Sequence, residues 1–188
     1  NLRWIAIFGQ LIAINLVYHY LKLDLPLWET HLIIFIGLIT NLILQFRIKE
    51  NQLKDLYSAL FLIYDLFQLS ILLYLTGGIT NPFSLLLIVP SIFSSTFLSM
   101  GTTIILGTLT TTSLFILTKY YKFLPGLDVY SFIFPEYYLA GTLVSIIIGL
   151  VFLSYFGIRF SGETKKRTEA LEKLQQVMAR EYQLDSLG

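Results

Sequence analysis

The chain contains no cysteine, only two histidines and few charged residues, which make up 13% of its 188 positions. Without cysteine, these residues can form no disulfide and carry no thiol redox chemistry or cysteine-based metal site. The net charge of +1 gives no reason to expect a nucleic-acid partner. Neither a phosphate-binding glycine loop nor a nucleophile motif is present, so the sequence predicts no catalytic residue within it.

Apolar residues dominate the chain. They make up 55% of it, and the mean hydropathy is +0.72. Soluble domains carry about 25% charged residues, so lipid is expected to be the solvent for much of this chain. We predict an all-α, polytopic bundle of six membrane spans followed by a cytoplasmic coiled-coil linker helix. The predicted spans are residues 4–20, 31–46, 56–76, 83–98, 102–118 and 137–156. Pro90 is expected to kink the fourth span.

Basic residues in the connections predict the orientation of the bundle. One side holds most of them, and the positive-inside rule places that side and both chain ends in the cytoplasm. The basic residues of this side are Arg3, Arg47, Lys49, Lys54, Arg159, Lys165, Lys166 and Arg167. The outer side holds Lys22, Lys119 and Lys122. Because no small-residue cleavage site follows the first apolar run, we interpret the chain as a fragment and its start as a span, not a signal peptide.

The composition changes after Arg159, where the chain becomes polar and charged. We predict two domains, a six-span sensor domain at residues 1–158 and a cytoplasmic signalling helix at residues 159–188. The helix carries an apolar stripe that shifts in phase, which is typical of a stutter in a two-helix coiled coil. The stripe residues are Leu171, Leu174 and Met178 and, after the shift, Leu184 and Leu187.

The most informative segment is Gly77-Gly78-Ile79-Thr80-Asn81-Pro82-Phe83, a short uncharged link between the third and fourth spans, here named the 77–83 connection. Its residues suit a tight turn, since glycine can end one helix while Asn81 caps the next and Pro82 begins it. They also suit a site for a small lipid-soluble ligand, because Asn81 offers an amide and Phe83 a ring. The residues alone favour the turn, although the turn leaves Phe83 unexplained. On the predicted topology, this connection lies on the outer side.

Asp65 is an acid deep in the third span, and a carboxylate there is expected to face the bundle interior. Gln68 lies one turn away on the same face. The pair is either a polar clamp to a neighbouring helix or a group that reports ligand binding or protonation, and both interpretations stay open. Partners for a clamp are expected on the fourth span, at Ser91, Ser95 and Ser99.

Two weaker patterns complete the set. Small residues recur every four positions on the sixth span, at Gly141, Ser145 and Gly149, and this spacing lets helices approach closely. That face is a candidate dimer or signal-carrying contact. His19 and His31 flank the first outer loop, but their spacing matches no metal-ligand motif, so no metal site is predicted.

Residues 72–83 resemble the signature of the RegB/PrrB/ActS family of redox-responsive sensor histidine kinases, which carry a GGxxNPF loop between the third and fourth of six spans. Upstream, Asp65-Leu66-Phe67-Gln68-Leu69 is similar to the family's DxxQL stretch. Leu2-Arg3-Trp4 with Gly9-Gln10-Leu11 is also family-like, and residues 179–188 resemble the linker before the family's phosphoacceptor histidine. The resemblance therefore covers essentially the whole chain.

The resemblance implies the membrane sensor region of a bacterial inner-membrane kinase that binds ubiquinone. Such a kinase adjusts its autophosphorylation to the respiratory chain and phosphorylates a response regulator. The matched motif assigns the quinone site to Gly77, Gly78, Asn81, Pro82 and Phe83. A quinone ring would stack on the phenylalanine and accept a hydrogen bond from the asparagine. A homodimer is expected, and the kinase core, with ATP and Mg²⁺, the phosphoacceptor histidine and a redox-active cysteine, would lie beyond these residues.

Two other classes stay open on the residues. A transporter or channel would need a continuous polar path, for which Asp65, Gln68 and the serines of the fourth span are the candidates. A membrane scaffold that only anchors and dimerises a cytoplasmic enzyme would leave the 77–83 connection without a ligand.

Overall fold

The structure is a computed structural model and describes residues 2–20, 22–47, 55–122 and 136–185. Within these ranges the chain forms six α-helices, two 3-10 helices and no strand. The α-helices are α1 (Leu2–His19), α2 (Leu27–Arg47), α3 (Asp55–Leu75), α4 (Val89–Phe97), α5 (Met100–Lys119) and α6 (Glu136–Asp185). The 3-10 helices are η1 (Gly78–Thr80) and η2 (Pro82–Ile88). The predicted all-α class is confirmed.

Three helices of the described chain are long and apolar enough to cross a membrane. They are Leu56–Leu75, Met100–Lys119 and Tyr138–Met178, which correspond to the predicted third, fifth and sixth spans. Two further apolar helices are shorter, Leu27–Ile43 and Pro82–Phe97. The count of six spans is therefore not confirmed by helix length.

The segment predicted as the fourth span differs from the expectation of an α-helix kinked at Pro90. The 3-10 helix η2 covers its start and ends at Ile88, and α4 begins only at Val89, so that Pro90 lies in the first turn of α4. A proline is tolerated there because the first N–H groups of a helix have no intrahelical acceptor. The 3-10 stretch rises about 2.0 Å per residue, so η2 and α4 together extend roughly 27 Å, close to the thickness of the bilayer core.

The predicted sixth span and the predicted cytoplasmic helix form one continuous helix, α6, of 50 residues. At 1.5 Å per residue, α6 is about 75 Å long, more than twice the thickness of the bilayer core. Side chains from Gly162 to Met178 are exposed. One continuous helix therefore connects the packed helices to an exposed stretch, and the predicted domain boundary at residue 158 lies within this helix.

Two apolar clusters hold the helices together, and α3 contributes to both. The larger cluster joins α3, η1, η2, α5 and α6. Its buried residues are Leu66, Leu73, Ile79, Leu87, Ile88, Leu114, Leu117, Leu143, Ile146 and Leu150. The smaller cluster joins α1, the residues before α2, α2 and α3 through Ile7, Ile14, Leu25, Ile34 and Leu72. The 77–83 connection belongs to the larger cluster because Ile79 is buried in it.

Candidate functional site

The 77–83 connection is a compact turn built on two glycines. Gly77 and Gly78 have φ values of 105° and 61°, in the left-handed region that favours glycine. The N–H and Oγ1 of Thr80 donate to the carbonyl oxygen of Gly77 at 3.2 and 2.6 Å, and the N–H of Asn81 donates to that of Gly78 at 3.2 Å. These bonds engage the carbonyl oxygens of both glycines within the turn itself.

Gly78 also occupies a place where a side chain does not fit. A Cβ at this position would lie 2.6 Å from the carbonyl oxygen of Leu117 and 2.6 Å from the Cβ of Tyr121. Nearby, the N–H of Lys122 donates to the carbonyl oxygen of Tyr74 at 2.8 Å, which ties the chain after α5 to the end of α3. Close backbone packing thus holds the turn against the end of α5.

Asn81 uses its whole side chain inside the turn. Its Nδ2 donates to the carbonyl oxygen and to Oγ1 of Thr76, each at 2.9 Å, and its Oδ1 accepts from the N–H of Phe83 at 2.9 Å. Asn81 therefore caps η2, and Pro82 is the first residue of η2, as the sequence predicted. Since an amide has two hydrogens and both are engaged, Asn81 can donate to a ligand only by giving up a bond to Thr76.

Pro82 and Phe83 are the exposed residues of the 77–83 connection, and Phe83 is 46% exposed. Leu85 and Leu86, in the next turn of η2, are exposed as well. Gly77, Gly78 and Ile79 are buried, as are Ser84, Leu87 and Ile88 on the inner side of η2. The surface that the connection offers to a lipid-soluble molecule is therefore apolar and aromatic. Asn81 lies beneath this surface and stabilises the turn.

Beyond η2, α4 packs tightly against α6. Gly157 of α6 lies so close to Ser95 that a Cβ on the glycine would overlap the Ser95 side chain and lie 3.1 Å from Oγ1 of Thr96. Ser95 Oγ donates to the carbonyl oxygen of Ile92 at 2.7 Å, which fixes its position. Because α4 follows directly from η2, this contact joins the 77–83 connection to the long helix.

Hydroxyl pairs join α4 to α5. Ser91 Oγ lies 3.0 Å from Thr110 Oγ1, and Ser94 Oγ lies 3.1 Å from Thr103 Oγ1. Ser99 caps α5 by accepting from the N–H of Thr102 at 3.3 Å. The serines of the fourth segment thus find partners on α5 and in their own backbone, which corrects the expectation that they face Asp65 and Gln68.

Asp65 instead pairs with Arg3 of α1. Arg3 Nη2 donates to Asp65 Oδ1 at 2.7 Å, and the guanidinium carbon lies 5.9 and 5.8 Å from the ring centroids of Phe61 and Tyr64. From the sequence, Arg3 was interpreted as a topology marker and as part of a family-like stretch, and its pairing with Asp65 was not predicted. The unmatched acid in the third span was a signal for it, since a carboxylate at that depth needs a cation or several donors.

Gln68 contributes a second link between α1 and α3. Its Nε2 donates to Oε1 of Gln10 at 3.4 Å, and its side-chain amide lies directly against Gly37 of α2, where a Cβ would overlap it. Gln68 is 8% exposed. Asp65 and Gln68 therefore act as polar links from α3 to α1. Asp65 lies 12 residues before Gly77, or about 18 Å along the helix axis.

The small-residue face predicted on α6 is not packed within the described chain. Gly141 and Ser145 are exposed and Gly149 is half-buried, and a Cβ on either glycine would meet no atom within 4 Å. Gly157, which the sequence reasoning missed, lies two steps further along the same four-residue spacing and makes the tight contact. The dimer role of the face stays a prediction.

The two histidines have ordinary surroundings. The Nδ1 of His31 lies 2.7 Å from the carbonyl oxygen of Leu27 and its Nε2 lies 3.3 Å from Nδ2 of Asn15, while His19 meets the ring of Tyr18 edge to face. Among the residues that the structure describes, no group of three or more His, Asp and Glu side chains is placed to hold a metal ion.

The apolar stripe predicted on the signalling helix is exposed as far as it is described. Leu171, Leu174 and Met178 are each about half exposed, at 59%, 57% and 48%. The side chain of Leu184 and all of Leu187 lie outside the described part of the chain. An exposed stripe of this kind fits a helix that pairs with another.

The chain is 36% identical to "Sensor histidine kinase RegB" of Cereibacter sphaeroides, over 190 aligned positions that cover all of it. It spans 41% of the length of that relative. No protein-family model and no solved structure matches the chain. Identity at this level along the whole chain agrees with the motifs at residues 65–69 and 77–83. The chain is therefore similar, along its whole length, to part of a sensor histidine kinase of the RegB type.

Proposed function

We propose that this chain is the membrane sensor of a two-component histidine kinase that follows the redox state of the respiratory chain by binding ubiquinone at the 77–83 connection. The whole protein would be an ATP-dependent protein-histidine kinase of the bacterial inner membrane that phosphorylates a response regulator. The similarity to part of a sensor histidine kinase supports the kinase part of this proposal. The exposed aromatic face of the 77–83 connection supports the ligand part.

One observation carries the link between ligand and output. The 77–83 connection continues through η2 into α4, and α4 meets α6 at the Gly157–Ser95 contact. A molecule that favours one position of η2 would bias the packing of α4 on α6. Because α6 is a single helix of 50 residues, a displacement at Gly157 would be passed along it without a hinge.

Ring stacking on Phe83 is the proposed contact for the quinone head, with the isoprenoid tail in lipid beside Leu85 and Leu86. Gly77, Gly78, Asn81 and Pro82 would act by fixing the turn that presents the phenylalanine. A ligand shifts a conformational balance only by its differential affinity for the two states, and a tenfold difference supplies about 1.4 kcal/mol. If the two states begin near parity, that shift changes the kinase output severalfold.

The signalling helices of two copies are proposed to pair through the exposed stripe of Leu171, Leu174 and Met178. A solvated helix of this length gains little stability by itself and is usually supported by packing. The phase shift after Met178 gives such a pair two packings of similar stability. Both chain ends would then lie in the cytoplasm and the 77–83 connection on the outer side.

The test compares two exposed phenylalanines at opposite ends of the fourth segment. Phe83→Ala in the full-length protein, reconstituted in vesicles, should weaken ubiquinone binding roughly threefold to tenfold by loss of about 0.5–1.5 kcal/mol of stacking. Phe97→Ala is the matched control, because Phe97 is 66% exposed and lies at the other end of α4. The autophosphorylation rate is measured as ubiquinone is added, which gives the apparent quinone affinity of the parent and of each variant.

Equal affinity of the parent and the Phe83→Ala variant would remove the 77–83 connection as the quinone site. Equal loss in the Phe83→Ala and Phe97→Ala variants would indicate a general effect of exposed rings on partitioning. A kinase that ignores quinone altogether would favour the scaffold that only anchors and dimerises.

A further inference from the structure

A second polar site lies between α1, α2 and α3, away from the 77–83 connection. Two of its nitrogens are buried and donate to no acceptor in the described chain, Nη1 of Arg3 and Nδ2 of Asn41. The Arg3 guanidinium lies over the rings of Phe61 and Tyr64, and these contacts partly compensate for the missing acceptor of its Nη1. Asn41 is 8% exposed, so its amide lies away from solvent.

Helix register places Asn41 at the level of the Arg3–Asp65 pair. Ile34 of α2 shares a cluster with Leu72 of α3, and Gly37 lies against Gln68, so the two helices run antiparallel. One turn further along α2 from Gly37, on the same face, is Asn41. Because α3 runs in the opposite direction, the residue at the same level lies one turn before Gln68, and that residue is Asp65. The unmatched amide therefore lies on the interior face beside the ion pair.

The charge of this cluster selects the class of ligand. Arg3 and Asp65 neutralise each other at 2.7 Å, so neither a free anion nor a cation is favoured there. The atoms that lack a partner are N–H donors, and a buried donor without an acceptor is rare in a folded protein. The matching group is a neutral oxygen that accepts hydrogen bonds. Since α3 is apolar and long enough to span a membrane, that oxygen would be carried by a lipid-soluble molecule.

We propose that the α1–α2–α3 cluster binds a neutral carbonyl oxygen of a membrane-resident molecule, with Asn41 as the donor and the Arg3–Asp65 pair beside it. A quinone ring and the ester of a phospholipid both carry such a carbonyl. Asp65 lies about 18 Å along α3 from the 77–83 connection, so this site is separate from that one and does not depend on quinone binding there.

The test is isotope-edited infrared spectroscopy of the full-length protein, because a carbonyl stretch moves to lower frequency on accepting a hydrogen bond. One arm uses a short-chain ubiquinone with ¹³C-labelled carbonyls in vesicles of ether-linked lipid, which contain no ester. The other arm uses phospholipid with ¹³C-labelled esters and no quinone. Each arm compares the parent with Asn41→Leu. Asn15→Leu is the matched control, since the amide of Asn15 is already bonded to the carbonyl oxygen of Leu11 at 2.8 Å.

We expect a lowered carbonyl band in one of the two arms that disappears in Asn41→Leu and persists in Asn15→Leu. The arm that shows it identifies the source of the carbonyl. Asn41→Leu should also keep the thermal midpoint of the delipidated protein, because the leucine replaces a donor that has no partner there. A band that is unaffected by Asn41→Leu in both arms, or an equal loss in Asn15→Leu, would overturn the site. A sharp fall of the thermal midpoint without lipid would give Asn41 a structural role instead.

Discussion

The contact between Gly157 and Ser95 predicts an energetic coupling between α6 and α4. Gly157→Ala places a methyl group in the volume of the Ser95 side chain, whose Oγ is held by a 2.7 Å bond to Ile92. Overpacking of this kind lowers the free energy of unfolding by about 1–3 kcal/mol. Ser95→Ala removes the overlapping hydroxyl and leaves a Cβ at 3.1 Å from the new methyl group, a tight contact that a small shift can relieve.

A double-mutant cycle measures the coupling. Gly157→Ala alone should destabilise, and Gly157→Ala with Ser95→Ala should regain most of the loss, which gives an interaction energy of about 1–2 kcal/mol. Gly141→Ala is the control on the same helix, because a Cβ at Gly141 meets no atom within 4 Å. There we expect no loss or a small gain, since alanine favours the helix. Denaturant titration in micelles gives the four free energies of the cycle.

The same variants test the route from the 77–83 connection to the kinase. Gly157→Ala should reduce the change in autophosphorylation that quinone produces, and Ser95→Ala should restore it in the double variant. Losses in stability that simply add would refute this coupling, as would a Gly141→Ala variant that is destabilised as much as Gly157→Ala. Either result would mean that α4 and α6 are not in the close contact described.

Two further predictions concern the turn and the ion pair. Gly78→Ala should lower the free energy of unfolding by about 2–4 kcal/mol. The positive φ disfavours alanine, and its Cβ would lie 2.6 Å from the carbonyl oxygen of Leu117. An unchanged thermal midpoint would contradict this packing. Asp65→Leu should lower it by about 1–3 kcal/mol by leaving Arg3 without its carboxylate, and adding Arg3→Met should restore it. Chemical unfolding of the single and double variants checks this, and no recovery in the double variant would argue against the pair.

The sequence alone determined the features that depend on local chemistry and on solvent. Long apolar runs predicted the all-α class and six spans, and three of these correspond to helices that are long and apolar enough to cross a membrane. The capping role of Asn81 and the start of η2 at Pro82 followed from side-chain and backbone chemistry within a few residues. The GGxxNPF motif at residues 77–83 could also be recognised from the sequence without a structure.

The tertiary structure alone decided which groups meet. Hydropathy does not fix the register between helices, so it did not show that Asp65 pairs with Arg3 and not with the serines. Nor did it show that Gly157, and not Gly141 or Gly149, is the α6 glycine in close contact with a neighbouring helix. The 3-10 form of η2 was missed because a 3-10 and an α-helix have similar apolar patterns over seven residues. Asn81 could be predicted to cap, but the loss of its free amide hydrogens depends on Thr76 lying within 2.9 Å across the turn. Contacts between elements are set by distance in space, and a sequence records distance only along the chain.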